Sequence, residues 1–291
     1  MCDEATDADD EAALARRGLT RRQFAAMGAA VVLAGCANAP AGAAGSVELT
    51  EGSVGIATGD GMADGFFVHP ARGSHPGVIL WPDIAGLREV KKVMARRLAA
   101  AGYAVLVVNQ YYRDAPAPIL NSLSEWRTPE GQAKIGPMRA KITAETVARD
   151  ARAFVAFLDG QAAVDKRRRI GVQGYCMGGP FAVRTAAAAP ERIGAAASFH
   201  GGGLVEDKPD SPHRLLAGTQ ASYLFAIARN DDARSPGDKD ALRQAAAAAR
   251  RPAEIEVYPA DHGWCVADAP AYDPTQAERA WDRLLALYAG L

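Results

Sequence analysis

Five nearly continuous apolar runs, at 78–81, 103–108, 170–172, 195–199 and 223–227, constrain this chain more than any other feature. A strand with one wet face alternates polar and apolar side chains. These runs leave no polar face, so each has to be covered on both sides, as in a parallel sheet between helices. Between the runs, Val90, Val93, Met94 and Leu98 recur at helical spacing ahead of Gly102, and Val147, Ala151, Phe154 and Leu158 do so ahead of Gly160. Alternating strand and helix predict a doubly wound, mainly parallel α/β sheet, whose ligands bind beyond the carboxyl ends of the strands. Upstream, the apolar stretches 47–56 and 65–68 flank Gly59-Asp60-Gly61 and predict an N-terminal antiparallel hairpin at one sheet edge.

One turn in that frame carries chemistry. The run Arg169-Ile170-Gly171-Val172-Gln173 leads into Gly174-Tyr175-Cys176-Met177-Gly178-Gly179, and an Ala-rich helical stretch from Pro180 to Ala189 follows. Gly174-x-Cys176-x-Gly178 has the form of the nucleophile elbow of the α/β-hydrolase fold, with cysteine where serine is usual. Glycines two before and two after keep a strained turn clear of the neighbouring strand and helix, which lifts the sulfur off the sheet. A thiol of ordinary pKa, ~8.5, is mostly protonated at neutral pH, so Cys176 needs a base or a positive field. The helix N-terminus beginning at Met177 supplies part of that field.

In this fold the order is nucleophile, acid, base. His262, in Ala260-Asp261-His262-Gly263-Trp264 after the strand-like 254–258, fits the base; His200, ending a buried run before three glycines, is its competitor. Asp231 and Asp232 both follow the 223–227 run and could hold the imidazole in its tautomer; Asp231 is the nearer to the strand. His69, His75 and His213 read as surface residues. The stretch from Asn109 to Pro137, with four prolines and no periodicity, reads as a long loop forming a wall or lid of the site.

With 291 residues, 49% of them hydrophobic, and a formal charge of −1, the chain has material for one full core and no electrostatic bias toward nucleic acid. Its four cysteines are scattered, which is neither a disulfide framework nor a metal cluster, and no metal or organic cofactor is implied. Residues 1–36 read as an export leader. Acids at Asp3, Glu4, Asp7, Asp9, Asp10 and Glu11 give way to Arg16, Arg17, Arg21 and Arg22. Thr20-Arg21-Arg22-Gln23-Phe24 resembles a twin-arginine signal, and the apolar 24–35 segment is too short to span a bilayer. Leu33-Ala34-Gly35-Cys36 looks like a lipobox that would leave a lipid on Cys36; an ordinary signal cleaved after the Ala-rich 38–44 stretch, or an N-terminal helix, remains an alternative. Residues 37–46 are a flexible linker, and 47–291 a catalytic domain in the periplasm or anchored to a membrane by that lipid.

Taken together, Gly174-Tyr175-Cys176-Met177-Gly178-Gly179, the acid loop at Asp231, His262-Gly263-Trp264 and two further loops resemble the dienelactone hydrolase family from about Val78 onward. The resemblance implies a cysteine acyl-enzyme hydrolase of small esters or lactones. In it the backbone N–H groups of Ile84 and Met177 form the oxyanion hole. Asp83 occupies the place of a glutamate that contacts the resting thiol, one methylene shorter, and Arg113, beside Tyr112, matches an arginine that binds the substrate carboxylate. A second family arginine, shortly after the histidine, is absent, since Cys265-Val266-Ala267-Asp268 stands there. That absence favours, as an alternative, a hydrolase of neutral esters or thioesters; a non-catalytic envelope binding protein is the other alternative, since fold does not fix function, though retention of nucleophile, acid and base argues against it. Cys265, three residues from His262, could also reach Cys176 and form a disulfide in an oxidising compartment.

Overall fold

The computed structural model describes residues 47–291, with Leu14 and Ala15 before them. The twin-arginine motif, the apolar segment, Cys36 and the linker lie outside the described residues.

Eight strands form one sheet: β1 (Leu49–Thr58), β2 (Gly61–Pro70), β3 (Gly77–Trp81), β4 (Ala104–Val108), β5 (Ile170–Tyr175), β6 (Ile193–Phe199), β7 (Ser222–Ala228) and β8 (Ala253–Tyr258). Their order is β1-β2-β4-β3-β5-β6-β7-β8. From β4 to β8 every pairing is parallel, and β1 and β2 are antiparallel. The doubly wound sheet with an antiparallel edge hairpin is thus the fold observed. All five residues of β3 and all five of β4 are buried, as unbroken apolar runs require. Each such Val, Leu or Ile contributes about 1.5–3 kcal/mol by leaving water.

The helices are α1 (Glu89–Ala100), α2 (Leu123–Trp126), α3 (Pro129–Ala140), α4 (Ala144–Gly160), α5 (Gly178–Ala188), α6 (Pro212–Leu215), α7 (Arg229–Arg234), α8 (Asp238–Ala249) and α9 (Pro274–Tyr288). In α1 Val90, Ala95, Leu98 and Ala99 are buried on the core with Met94 packed against it, Val93 is not among them, and Gly102 follows at φ +99°, where a residue with a Cβ would be strained. In α4 a reciprocal cap between Thr143 and Thr146 starts the helix, and Val147, Ala151, Phe154, Val155 and Leu158 face the core.

The stretch expected to be one long loop is a correction. Residues 109–137 contain α2 and most of α3, and Ile119, Leu120, Leu123 and Ile135 are buried on the main core. The α3 helix buries only Gly131 and Ile135, too few for a visible period. Thr128, whose hydroxyl accepts from the Gly131 N–H, followed by Pro129 at the first helical position, is the start signal that could have revealed it.

β3 and β5 lie side by side with β4 beyond β3, so the chain winds outward in both directions from that pair. Gly174 pairs with Trp81 on one side and Ser198 on the other, which levels the carboxyl ends of β3, β5 and β6. Such a reversal point opens a crevice.

Candidate active site

The site is assembled from the turns that leave five neighbouring strands. After β5, Cys176 adopts φ 53°, the left-handed region that a residue with a side chain enters only under strain. The glycines on either side of it are there for space. A Cβ on Gly174 would lie 1.8 Å from the Gly178 carbonyl oxygen, and one on Gly178 2.6 Å from the carbonyl oxygens of both Trp81 and Pro82. The Cys176 N–H donates to the Phe199 carbonyl at 3.0 Å, tying the elbow to β6, and α5 begins two residues later.

After β7 and β8, two loops meet. Nδ1–H of His262 donates to Asp231 Oδ2 at 2.7 Å. Asn230 Oδ1 accepts the backbone N–H of His262 at 2.9 Å and that of Asp231 at 3.1 Å, so one amide clamps acid and histidine together. Asn230 was not foreseen. Asp232 is taken up elsewhere, by Lys239 Nζ at 2.6 Å and 2.8 Å. His262 is buried, and with Nδ1 spent on Asp231 its Nε2 has no hydrogen-bond partner among the described residues and is left for chemistry. Burial opposes charge on this ring, but Cys176 and Asp231 outweigh it and raise its pKa to about 10. The arrangement can therefore hold a thiolate beside an imidazolium.

Ile84, Met177 and Cys176 line one cleft of about 370 Å³. The peptide unit that carries the Ile84 N–H is fixed through its other end. The Asp83 carbonyl accepts from Gln110 Nε2 at 2.7 Å and from the Gly86 N–H at 2.9 Å, and Tyr111 Oη–H donates to the Ile84 carbonyl at 2.8 Å. Because a trans peptide is planar, holding that C=O also aims the N–H in the opposite direction.

The Asp83 carboxylate is spent on basic partners. Its carboxylate takes two hydrogen bonds from Arg88, at 2.7 Å and 3.0 Å, and an ion pair from Lys91 at 2.8 Å, and Arg88 reaches on to Asp268 through two bonds of 2.7 Å. Burial would push the Asp83 carboxyl up, but Arg88 and Lys91 hold it well below the usual carboxylate range. Where the thiol was the expected partner, the bonds seen are to Arg88, Lys91 and the Ala85 N–H, and through them this shorter carboxylate buttresses the loop that bears Ile84.

Arg113 and Tyr112 are corrected likewise. The Arg113 guanidinium is bound by Asp60 at 2.6 Å and Asp150 at 2.8 Å, stacks 4.5 Å above the Tyr112 ring, and does not line the cleft. Tyr112 Oη–H donates to Asp150 at 2.9 Å and meets the Thr58 hydroxyl at 2.7 Å. The cations on the cleft wall are Arg139, at the end of α3, Arg184, on α5, and Lys208. Cys176 and Cys265 are free thiols, so the expected disulfide is not formed. Burial pushes the Cys265 thiol well up, keeping it protonated and a poor nucleophile. Among the described residues no group of three or more His, Cys, Asp or Glu side chains is placed to hold a metal ion.

A profile of the dienelactone hydrolase family matches residues 63–290. The chain belongs to the dienelactone hydrolase family. As a member it is a hydrolase acting on ester or lactone bonds. Among curated relatives, a "Putative carboxymethylenebutenolidase" of Methylorubrum extorquens is 28% identical over 242 residues, covering 81% of this chain and 79% of its own. One of the same description from Escherichia coli K12 is 29% identical over 223 residues, covering 73% and 76%. Among solved structures, a "Putative Dienelactone Hydrolase" of Klebsiella pneumoniae superposes with a TM-score of 0.72 at 24% identity, over 84% of this chain and all of that one. A dienelactone hydrolase-like promiscuous phosphotriesterase from metagenomic libraries superposes with a TM-score of 0.64 at 23% identity, over 83% and 98%. With the family shown, the non-catalytic binding protein is set aside.

Proposed function

We propose that this dienelactone hydrolase relative cleaves small esters or lactones through a thioester on Cys176, with His262 moving the proton and Asp231 orienting it. The observation that carries the reading is a cysteine at φ 53° on the cleft floor, beside an imidazole hydrogen-bonded to a carboxylate at 2.7 Å. The Cys176 thiolate adds to the carbonyl carbon, and the oxyanion formed is met by the N–H groups of Ile84 and Met177, each donor of this kind being worth ~10²-fold to 10³-fold in rate. The C–O bond then breaks, and the departing oxygen takes the proton from His262 Nε2. Neutral His262 accepts a proton from water as that water attacks the thioester, and collapse releases the acid and restores thiolate and imidazolium.

A carboxylate-bearing substrate of the carboxymethylenebutenolide kind is supported by the charge of the cleft. Arg139, Arg184 and Lys208 stand on its wall; Lys208 pairs with Glu206 at 3.3 Å and Arg184 more loosely with Asp210 at 3.4 Å, so Arg139 adds a positive charge beyond those pairs. Neutral esters are the second reading, favoured by the sequestration of Arg113 in its two ion pairs. The test is mass spectrometry after brief exposure to a panel of anionic and neutral esters. An acyl adduct on the peptide containing Cys176, lost in Cys176→Ala together with turnover, is expected. Arg139→Ala with Arg184→Ala should raise KM for anionic esters and spare neutral ones, whereas Arg113→Ala should leave KM alone. Activity undiminished by Cys176→Ala would sink the reading. For the leader, the twin-arginine motif and Cys36 support export with lipidation, and the mass of the mature N-terminus in the membrane fraction tests it.

A further inference from the structure

The mechanism above leaves one imidazole of the site unused. His200 directly follows β6 and is 2% exposed, and neither ring nitrogen has a hydrogen-bond partner among the described residues. Its backbone stands at φ 41°, the strained left-handed region, and its N–H is held by the Ala226 carbonyl at 2.8 Å. Burying an imidazole without a partner is costly, and here the chain also strains itself to place one.

The surroundings show what the ring is for. The Cys176 N–H is held at 3.0 Å by the carbonyl of Phe199, the residue just before His200, and the His200 ring lies 4.6 Å from the His262 ring at an angle of 62°, 6.1 Å from Tyr175 and 5.3 Å from Trp264. Titratable groups face it from three directions. Cys176 and Tyr175 come from the elbow and β5, His262 from the loop after β8, and Asp231 from α7. Burial pushes the Tyr175 phenol far up, so it stays neutral. Asp231 spends Oδ2 on His262, so His200 has no carboxylate to orient it as a base. Burial and the neighbouring His262 charge push His200 down, although Cys176 opposes them. Two buried imidazoles this close do not both carry charge. His262 is the cation, and His200 is neutral with one N–H to give.

We propose that His200 is a positioning residue for the nucleophile: once Cys176 is a thiolate, the unpartnered neutral imidazole turns an N–H to its sulfur, so the charge is held between two imidazole donors, only one of which surrenders its proton. This rests on the cysteine-nucleophile reading above. It replaces the idea of His200 as a rival base with a division of labour. His262 moves the proton, and His200 sets the direction and proton affinity of the sulfur. A hydrogen bond to a charged acceptor strengthens as charge concentrates, so the donor favours the thiolate over the thiol.

The experiment compares the pH profile of iodoacetamide alkylation, read by mass spectrometry on the peptide containing Cys176, in the parent, His200→Phe and His200→Asn. The first keeps a ring without a donor; the second keeps a donor without the ring. For His200→Phe the midpoint should move up by about one pH unit, which is tenfold less thiolate at any pH well below the midpoint, and kcat on that acid limb should fall with KM little changed. His200→Asn should recover most of the shift. If phenylalanine does not fold, His200→Ala is read the same way. A donorless variant with the parent's profile overturns the inference, and so does an asparagine variant displaced as far as the phenylalanine one. Cys176→Ala separates the two levels: if it retains activity, the nucleophile reading fails. If it is dead while His200→Phe shows the parent's profile, only the present inference fails.

Discussion

Replacing Arg88 by methionine tests what holds the oxyanion loop against the histidine loop. Arg88 has no exposed side-chain surface and joins Asp83, on the turn after β3, to Asp268, 180 residues away on the loop after His262. In Arg88→Met, Asp83 keeps Lys91 at 2.8 Å and the Ala85 N–H at 3.0 Å, but Asp268 keeps only the Leu123 N–H at 3.2 Å. Removing one partner of a buried ion pair costs about 3–5 kcal/mol, because a charge is left without compensation. Against a total stability of about 5–15 kcal/mol, that loss is easily read in urea unfolding. The double variant Arg88→Met with Asp268→Asn removes the stranded carboxylate and should regain about 1–3 kcal/mol over the single one. The sign with pH follows from Asp83. Its folded pKa lies below its unfolded value, so its contribution is present above pH ~3.9 and fades as pH falls through the folded value. With Arg88 gone that depression shrinks, and the acid transition should move to higher pH. Loosening the Ile84 amide should also cost up to ~10² in kcat. A single variant within 1 kcal/mol of the parent, or a double variant less stable than the single, would refute the reasoning.

Three other outcomes follow from the same geometry. His262 has its pKa raised to about 10, so the stability it contributes is complete below pH ~6.5 and lost as pH rises through 10; Asp231→Asn should flatten that decline between pH 7 and 10, and parallel urea-stability curves for the two proteins would argue against it. Gly178→Ala would place a Cβ 2.6 Å from two backbone oxygens, and the shift this forces on the elbow should cost at least ~10²-fold in kcat; a fully active variant would contradict a tight elbow. Asp232→Asn, at a residue paired with Lys239 rather than His262, should leave kcat within about twofold, in contrast to Asp231→Asn.

The elements most legible in the sequence were those whose environment is local and repetitive. Strands β3 to β7 declare themselves because burial on both faces leaves no polar face, with only scattered polar residues such as Gln173 and Ser198, and the elbow does because its glycines are dictated by backbone atoms nearby. The hairpin was legible too, though β1 and β2 run to Thr58 and from Gly61, closing on the two-residue turn Gly59-Asp60. Helix α3 was not, because it rests on the core through little more than Ile135, and a single contact makes no period.

Long polar side chains were least legible. Nothing in the order of residues distinguishes Arg113, locked between Asp60 and Asp150, from Arg139, which opens onto the cleft. An arginine reaches far, and its partner is whichever carboxylate the packed elements bring near. The choice of Asp231 over Asp232 has the same origin, since the two differ by one residue in the chain and by about a third of a turn around α7. By itself the sequence determined the sheet, the strained turn that lifts Cys176 and the order of acid and histidine behind it, all consequences of burial pattern and short-range sterics. Only the tertiary structure decided which charges pair with one another and which are left to face the cleft, because electrostatic partnership depends on distances through space that chain separation does not encode.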